Sequence, residues 1–196
     1  TLNVEERAPT NITVLSDDVW PHPWPEPPYP QEEEARLRVV RQLPLQEMME
    51  AREWLGLCNI MQSTMKVAVA YISVICEEDQ WIISRMGSFH TKLPREMSFC
   101  SYTICGLAPL VVKDATRDDR FKDSPLVQGG KGKFRFYVGA PIVSLNQPII
   151  VLGTIAVLDT KPHKVVTPED IDFMATFASI VSARMSEYLP SNKAVK

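Results

Sequence analysis

Read for hydrophobic spacing alone, the chain separates into strand-like runs in its middle and helix-like runs at its two ends. Residues 67–76, VAVAYISVIC, and 81–87, WIISRMG, are apolar and rich in β-branched side chains, and the polar EEDQ between them predicts a hairpin. Residues 134–144, FRFYVGAPIVS, and 149–159, IIVLGTIAVLD, are the clearest strands. The LNQP that joins them is too short for a parallel crossover, so the two pair antiparallel. GSFHTKL reads as a connector, and LVVKD at 110–114 as a short strand.

Helical spacing governs the ends. QEEEARLRVVRQL opens with acids and continues with arginines, which suits a helix dipole at both termini. After Pro44, apolar residues recur at Leu45, Met48, Met49, Leu55, Cys58 and Met61 or Met65, predicting one helix over 45–65 with a bend at Gly56. Thr167, Pro168 and Asp170 form an N-cap, a first-turn proline and a capping-box acid. The helix they start runs to about Leu189, with Ile171, Met174, Phe177, Val181, Met185 and Tyr188 on one stripe. Between the strands, PREMSFCSYTICGL at 94–107 has Ser98 placed to cap a short helix reaching Gly106. Residues 114–127 read as a loop with one helical turn, and GGKGK at 129–133 as a flexible basic loop. These elements give an α+β fold: an antiparallel sheet of five or six strands, terminal helices on one face, and a loop and short-helix pocket on the other.

Composition narrows the picture. A chain of 196 residues supports one full-sized core with extensions, and three segments are expected: a Pro-rich extension at 1–30, a domain at 31–190 and a tail at 191–196. Residues 20–30, WPHPWPEPPYP, place six prolines in eleven positions, which excludes helix and central strand. Their rings either pack on the chain's own domain or offer a peptide to an aromatic-lined groove. A formal charge of -3 gives no general basic field for nucleic acid. The longest apolar runs are too short for a membrane span and the first residues lack a secretory pattern, so a cytoplasmic protein is expected. Four cysteines at 58, 76, 100 and 105 form no Cys-x-x-Cys pair, and His22, His90 and His163 lie at no metal-finger spacing, so no metal site is expected.

Five stretches in order, QWIISRMG, LPREMSFCSYTI, PLVVKDATRDDRF with SPLV, RFYVGAPI and LGTIAVLDTKP, resemble the GAF domain, a small-molecule sensory and regulatory module of signalling proteins. The resemblance covers about 33–189 and is closest to the subgroup attached to bacterial histidine kinases and cyclases. It implies a pocket roofed by the short helix and long loops, with packing or dimerisation through the terminal helices. In that subgroup FCAH is common where FCSY stands here, so Tyr102 occupies the position of a histidine. The cysteine-histidine pair of bilin-binding members, the Asn-Lys motif of cyclic-nucleotide binders and the cysteine trio of sulfoxide-reducing members all lack a counterpart in the matching context.

Within the roof stretch, Arg95 is the natural partner of an anionic ligand, or else it pairs with Glu96 or Asp114 and holds the loop. Ser98 and the helix N–H groups would add an anion-favouring dipole. Cys100, near the helix start, is the better redox candidate, and burial beside Phe99 would silence it. Cys105 is the second redox candidate, about 140° away around a helix, so the two do not share a face. Phe136 and Tyr137 point to opposite faces of their strand, one toward the pocket and one under a helix. Gly139 allows close approach on the sheet. Asp118 and Asp119 with Arg117 and Arg120 could serve metal or phosphate chemistry, but with no third carboxylate or histidine at supporting spacing they read as a solvated helical turn. No catalytic signature appears. The expected ligand-binding set is therefore Arg95, Ser98, Phe99, Cys100, Tyr102, Phe136 and Tyr137, in a non-catalytic sensor for a small anionic molecule that signals through terminal helices. A ligand-free interaction or homodimerisation module and a thiol-based redox protein are the alternatives.

Overall fold

The computed structural model describes residues 20–129, 133–145 and 149–190. The start of the Pro-rich extension, most of the GGKGK loop, three residues of the LNQP connection and the C-terminal tail lie outside the described residues.

Six strands form one antiparallel sheet: β1 Val69–Ile75, β2 Asp79–Met86, β3 Lys92–Pro94, β4 Leu110–Val112, β5 Phe136–Val143 and β6 Val151–Asp159, in the order β3-β2-β1-β6-β5-β4. The hairpins β1–β2 and β5–β6 lie side by side, joined where β1 pairs with β6. The connector expected at GSFHTKL contains the edge strand β3, paired through Gln80↔Leu93. With only three residues, of which Leu93 alone is buried, it is too short to show a period.

Both faces of the sheet are covered, and alternation along each strand sorts the side chains. On β1, Ala70, Ile72 and Val74 face the terminal helices, while Val69, Tyr71 and Ile75 face the roof. On β5, Phe136, Val138, Ala140 and Ile142 go to the helices and Tyr137 to the roof. A register shift between Ile142 and Val143 breaks the alternation locally.

The helix side is built from α1 Glu33–Val40, α2 Leu45–Glu50, α3 Glu53–Met65 and, from the far end of the chain, α6 Pro168–Glu187. The single helix expected over 45–65 is two. The break falls at Ala51, which is extended with ψ 116, and not at Gly56, which lies within α3. The interruption resets the helical phase: Met48 and Trp54 are both fully buried, while Leu55, on the face a continuous helix would have buried with Met48, is 49% exposed. The α6 start is as expected: Thr167 Oγ1 accepts the Asp170 N–H at 3.2 Å and Asp170 Oδ2 accepts that of Thr167 at 2.9 Å. Fully buried Met174, Val181 and Met185 dock α6 on the sheet, each worth about 1.5–3 kcal/mol. The Val143 N–H donates to Ser182 Oγ at 2.9 Å. No described helix is long and apolar enough to cross a membrane.

Candidate functional site

The roof consists of a 3₁₀ turn, Arg95–Met97, followed by α4 Cys100–Thr103, with the 114–129 loop and its short helix α5 Pro125–Gln128 beside it. Helix α4 has four residues rather than the span to Gly106, and Ser98 still serves its start: its Oγ accepts the Cys100 N–H at 2.9 Å and donates to Gln80 Oε1. With that N–H taken and only one turn present, the expected anion-favouring helix terminus is absent.

Cys100 projects from α4 into the middle of the sheet and is fully buried. Its sulfur receives Thr154 Oγ1 at 2.9 Å, Gln80 Nε2 at 3.2 Å and the Tyr137 hydroxyl at 3.5 Å, and it meets the Tyr71 hydroxyl at 3.1 Å. Gln80 also donates to Ser73 Oγ at 2.9 Å, and Tyr137 bonds Thr103 Oγ1 at 2.6 Å. Burial, together with the sulfur beside them, pushes the Tyr71 and Tyr137 phenols well above their ordinary range. Both therefore stay protonated at neutral pH, and the cluster is a closed polar knot that fixes the roof to β1, β2, β5 and β6.

Around this knot the space beneath Ser98 is occupied by aromatic side chains. Phe99 stacks on Tyr137 at 5.0 Å and meets Phe121 at 4.5 Å, while Tyr71 stacks on Phe89 at 4.9 Å, which in turn meets Phe134. Of the expected ligand-binding set, Ser98, Phe99, Cys100 and Tyr137 come together here. Phe136 lies on the opposite face, stacked on His163 at 3.9 Å. Tyr102 turns outward, its ring 4.8 Å from Phe121 and its hydroxyl donating to Pro25 O at 3.5 Å.

Arg95 is buried, but neither of its expected partners holds it. Glu96 pairs with His22 and Asp114 with Arg135, while Arg95 Nη1 donates to Glu33 Oε1 and to Cys76 O at 3.3 Å. Glu33 also receives Arg36 Nε at 2.7 Å and Nη2 at 2.8 Å, and Arg36 Nη1 donates to Ile75 O at 2.7 Å. Burial raises the Glu33 pKa, yet the two guanidinium groups outweigh it and hold the carboxyl below its ordinary range. One carboxylate thus serves two buried cations. The face of the Arg95 guanidinium is covered by the Tyr29 ring at 4.5 Å, a cation–π contact that meets part of the excess charge.

That contact belongs to a strap. Residues 20–30 pack on the chain's own roof: His22 stacks on Trp24 at 4.3 Å, Trp24 Nε1 donates to Glu96 O at 3.2 Å, and Cys105 Sγ donates to Pro28 O at 3.5 Å. Of the two arrangements open to this segment, it adopts self-packing. Burial pushes the Cys105 thiol up to about 12, which suppresses its thiolate.

Sequence reasoning missed Tyr71, Gln80 and Thr154, whose partner is the Cys100 sulfur, and the Glu33–Arg36 pair. Gln80 and Thr154 are polar residues inside apolar strand runs, and Glu33 and Arg36 stand three apart on a helix; those were the available signals.

The family model of the GAF domain matches residues 44–185, more than half of the chain. A cyclic di-GMP phosphodiesterase of Pseudomonas aeruginosa is 34% identical over 166 residues, and the match spans 85% of this chain and 28% of that protein's length. Among solved structures, the type II free methionine-R-sulfoxide reductase of Thermoplasma acidophilum superposes with a TM-score of 0.58 at 12% identity, covering 74% of this chain and 97% of that one. The GAF domain of a phosphoenolpyruvate-protein phosphotransferase from Coxiella burnetii gives a TM-score of 0.56 at 15% identity, covering 80% and 96%. Similarity at these identities establishes the fold alone.

Proposed function

The chain belongs to the GAF domain family, and on that premise we propose that it is a non-catalytic regulatory module that responds to a small anionic molecule and passes the response through α3 and α6 to a second copy of itself. The observation that carries the output side is the flank of α6. While Met174, Val181 and Met185 face the sheet, Phe173 and Phe177, their rings 4.5 Å apart, are half-buried at the edge of that core, and Ile180 continues their line at helical spacing into solvent, 43% exposed. On α3, Ile60 is 47% exposed, and Arg184 Nη2 bonds Glu53 Oε2 at 2.7 Å to hold the two helices together. An apolar flank of this kind suits pairing in water better than solvation.

In this reading Arg95, Ser98, Phe99, Cys100, Tyr102 and Tyr137 form a responsive roof, and Phe136 supports it from the helix side. The excess positive charge of the Glu33–Arg36–Arg95 group supports an anion over a cation as the effector. The self-filled space beneath Ser98 favours a second reading, an interaction module that needs no ligand. Thiol chemistry has little support, since Cys100 is fully buried and the thiol of Cys105 is held protonated. The phosphodiesterase activity named for the Pseudomonas relative belongs to a protein of which this chain matches 28%.

Sedimentation of the purified chain and of a Phe177→Glu/Ile180→Glu variant tests the output. A dimer that the variant dissociates is expected, and a wild-type chain that stays monomeric at every concentration overturns pairing. Native mass spectrometry of the same material separates the two readings by a retained small mass or its absence.

A further inference from the structure

At the flank of the roof, where its 114–120 segment, the end of β4, the start of β5 and the β6–α6 loop meet, an open cleft of about 780 Å³ carries a concentration of charge. Its walls hold five cationic side chains, Lys113, Arg117, Arg120, Arg135 and Lys164, against three carboxylates, Asp114, Asp118 and Asp119, a formal balance of +2. In a chain whose total is -3 this is a local inversion of sign, and a concave wall focuses such a field.

Pairing inside the cleft makes the imbalance sharper. Asp114 receives Arg135 Nε at 3.0 Å and Nη2 at 2.6 Å, and Asp118 receives Arg120 Nε at 2.9 Å and Nη2 at 2.6 Å. Asp119 is satisfied by Lys122 at 2.6 Å, a cation outside the cleft lining. Two guanidinium groups are therefore held in place by carboxylates. Lys113 and Lys164 enter no ion pair among the described residues, and Arg117 stands 3.9 Å from Asp114 with its side chain 86% exposed. The His163 ring, packed on Phe136 and bonded through Nε2 to Asp159 Oδ2 at 2.8 Å, gives the cleft a fixed planar floor beside Val112 and Pro162.

We infer that this cleft binds a small phosphorylated molecule, with Lys113, Arg117 and Lys164 neutralising the phosphate groups and the paired arginines shaping the walls. The volume fits a metabolite-sized ligand, and strongly charged phosphates suit the ammonium groups of Lys113 and Lys164 and the exposed guanidinium of Arg117, whose ion pair to Asp114 is long. Binding has a direct route to the output helix: the His163 N–H donates to Lys113 O at 3.0 Å, and Lys164 lies just before the Thr167 cap of α6. A ligand bridging the two loops would thus act on the entry to α6. That regulatory meaning rests on the reading proposed above; the binding itself does not.

Calorimetric titration of the full chain with inorganic pyrophosphate tests the site. Three forms are compared: wild type, Lys113→Ala/Lys164→Ala, and a control of equal charge change on the helix side, Arg38→Ala/Arg52→Ala. All four side chains are exposed, and thermal melts check that the variants remain folded. Wild type and control are expected to bind alike, with the cleft variant weaker by about tenfold or more. Three results would overturn the inference: no wild-type binding up to about 10 mM, equal binding by the cleft variant, or equal weakening by the control. Loss of pyrophosphate binding leaves helix pairing standing, and a monomer that binds pyrophosphate sinks pairing while sparing the cleft.

Discussion

The ring of Tyr137 lies across Gly139, so that a β-carbon at 139 would come within 1.9 Å of the phenol oxygen. The two residues are two apart on β5 and share its roof face. Because Gly139 presents no side chain, Tyr137 can lie along the strand and bring its hydroxyl to Thr103 Oγ1 and the Cys100 sulfur. Tyr137 is fully buried and has nowhere to move. Gly139→Ala should therefore displace the ring and cost about 1–3 kcal/mol by overpacking, seen as a lower urea midpoint with an unchanged slope.

Thr154 contributes the shortest contact to Cys100, at 2.9 Å, and also bonds Ser73 Oγ at 3.1 Å. Thr154→Val keeps the shape and removes the hydroxyl, which takes a donor from the Cys100 sulfur and one contact from Ser73 Oγ, while Gln80 Nε2 and the residue-154 carbonyl still serve Ser73. A loss of about 1–3 kcal/mol is expected, and a double-mutant cycle with Ser73→Ala in urea would read out the coupling of the two hydroxyls.

The sheet was legible because its strands carry their own evidence: β-branched runs and a connection too short to cross over. The capping box of α6 was equally local, written in Thr167, Pro168 and Asp170. What escaped was non-local. The break before α3 depends on where Trp54 must go to be buried, and β3 exists only because β2 offers it an edge. Arg95 was identified as a residue of interest, but its partner is Glu33, 62 positions away, and no spacing rule reaches that far. The two faces of β5 were readable from alternation, whereas the filling of the roof space arises from rings contributed by five separate segments.

Glu33 balances two buried arginines, and removing it leaves both without their carboxylate. Glu33→Ala should cost about 3–5 kcal/mol, the penalty for an uncompensated buried charge. Arg95→Met should cost less, since Glu33 keeps both bonds from Arg36. Equilibrium denaturation of the two variants tests the order; an Arg95 variant less stable than the Glu33 variant would contradict it.

Acid should weaken the fold through the same carboxylates. Glu33 has its folded pKa below the ordinary 4.5, and the Arg135 guanidinium pulls Asp114 down from 3.8 to about 2. A carboxyl with a depressed folded pKa stabilises above its unfolded value and loses that contribution as pH falls through the folded one. Melting temperature should thus be level above about pH 5 and fall toward pH 2. Asp114→Asn should lower it at neutral pH by an amount that shrinks as the pH approaches 2.

The strap over the roof makes Cys105 a reporter. Its single S–H is shared between Ser101 O at 3.3 Å and Pro28 O at 3.5 Å, and burial pushes the thiol up to about 12, so reaction with a chromogenic disulfide reagent should be slow in the intact chain. Tyr29→Ala removes the ring from Arg95, and Trp24→Ala removes the bond to Glu96 O. Together they should loosen the strap, let the thiol return toward its ordinary 9.0, and speed modification of Cys105 by about tenfold or more. Cys100, enclosed by the sheet and α4 rather than by the strap, should stay protected in the same sample, as mass spectrometry of the labelled peptides would show. Equal rates for Cys105 in the intact and loosened chains would mean that the roof itself, and not residues 20–30, closes over that sulfur.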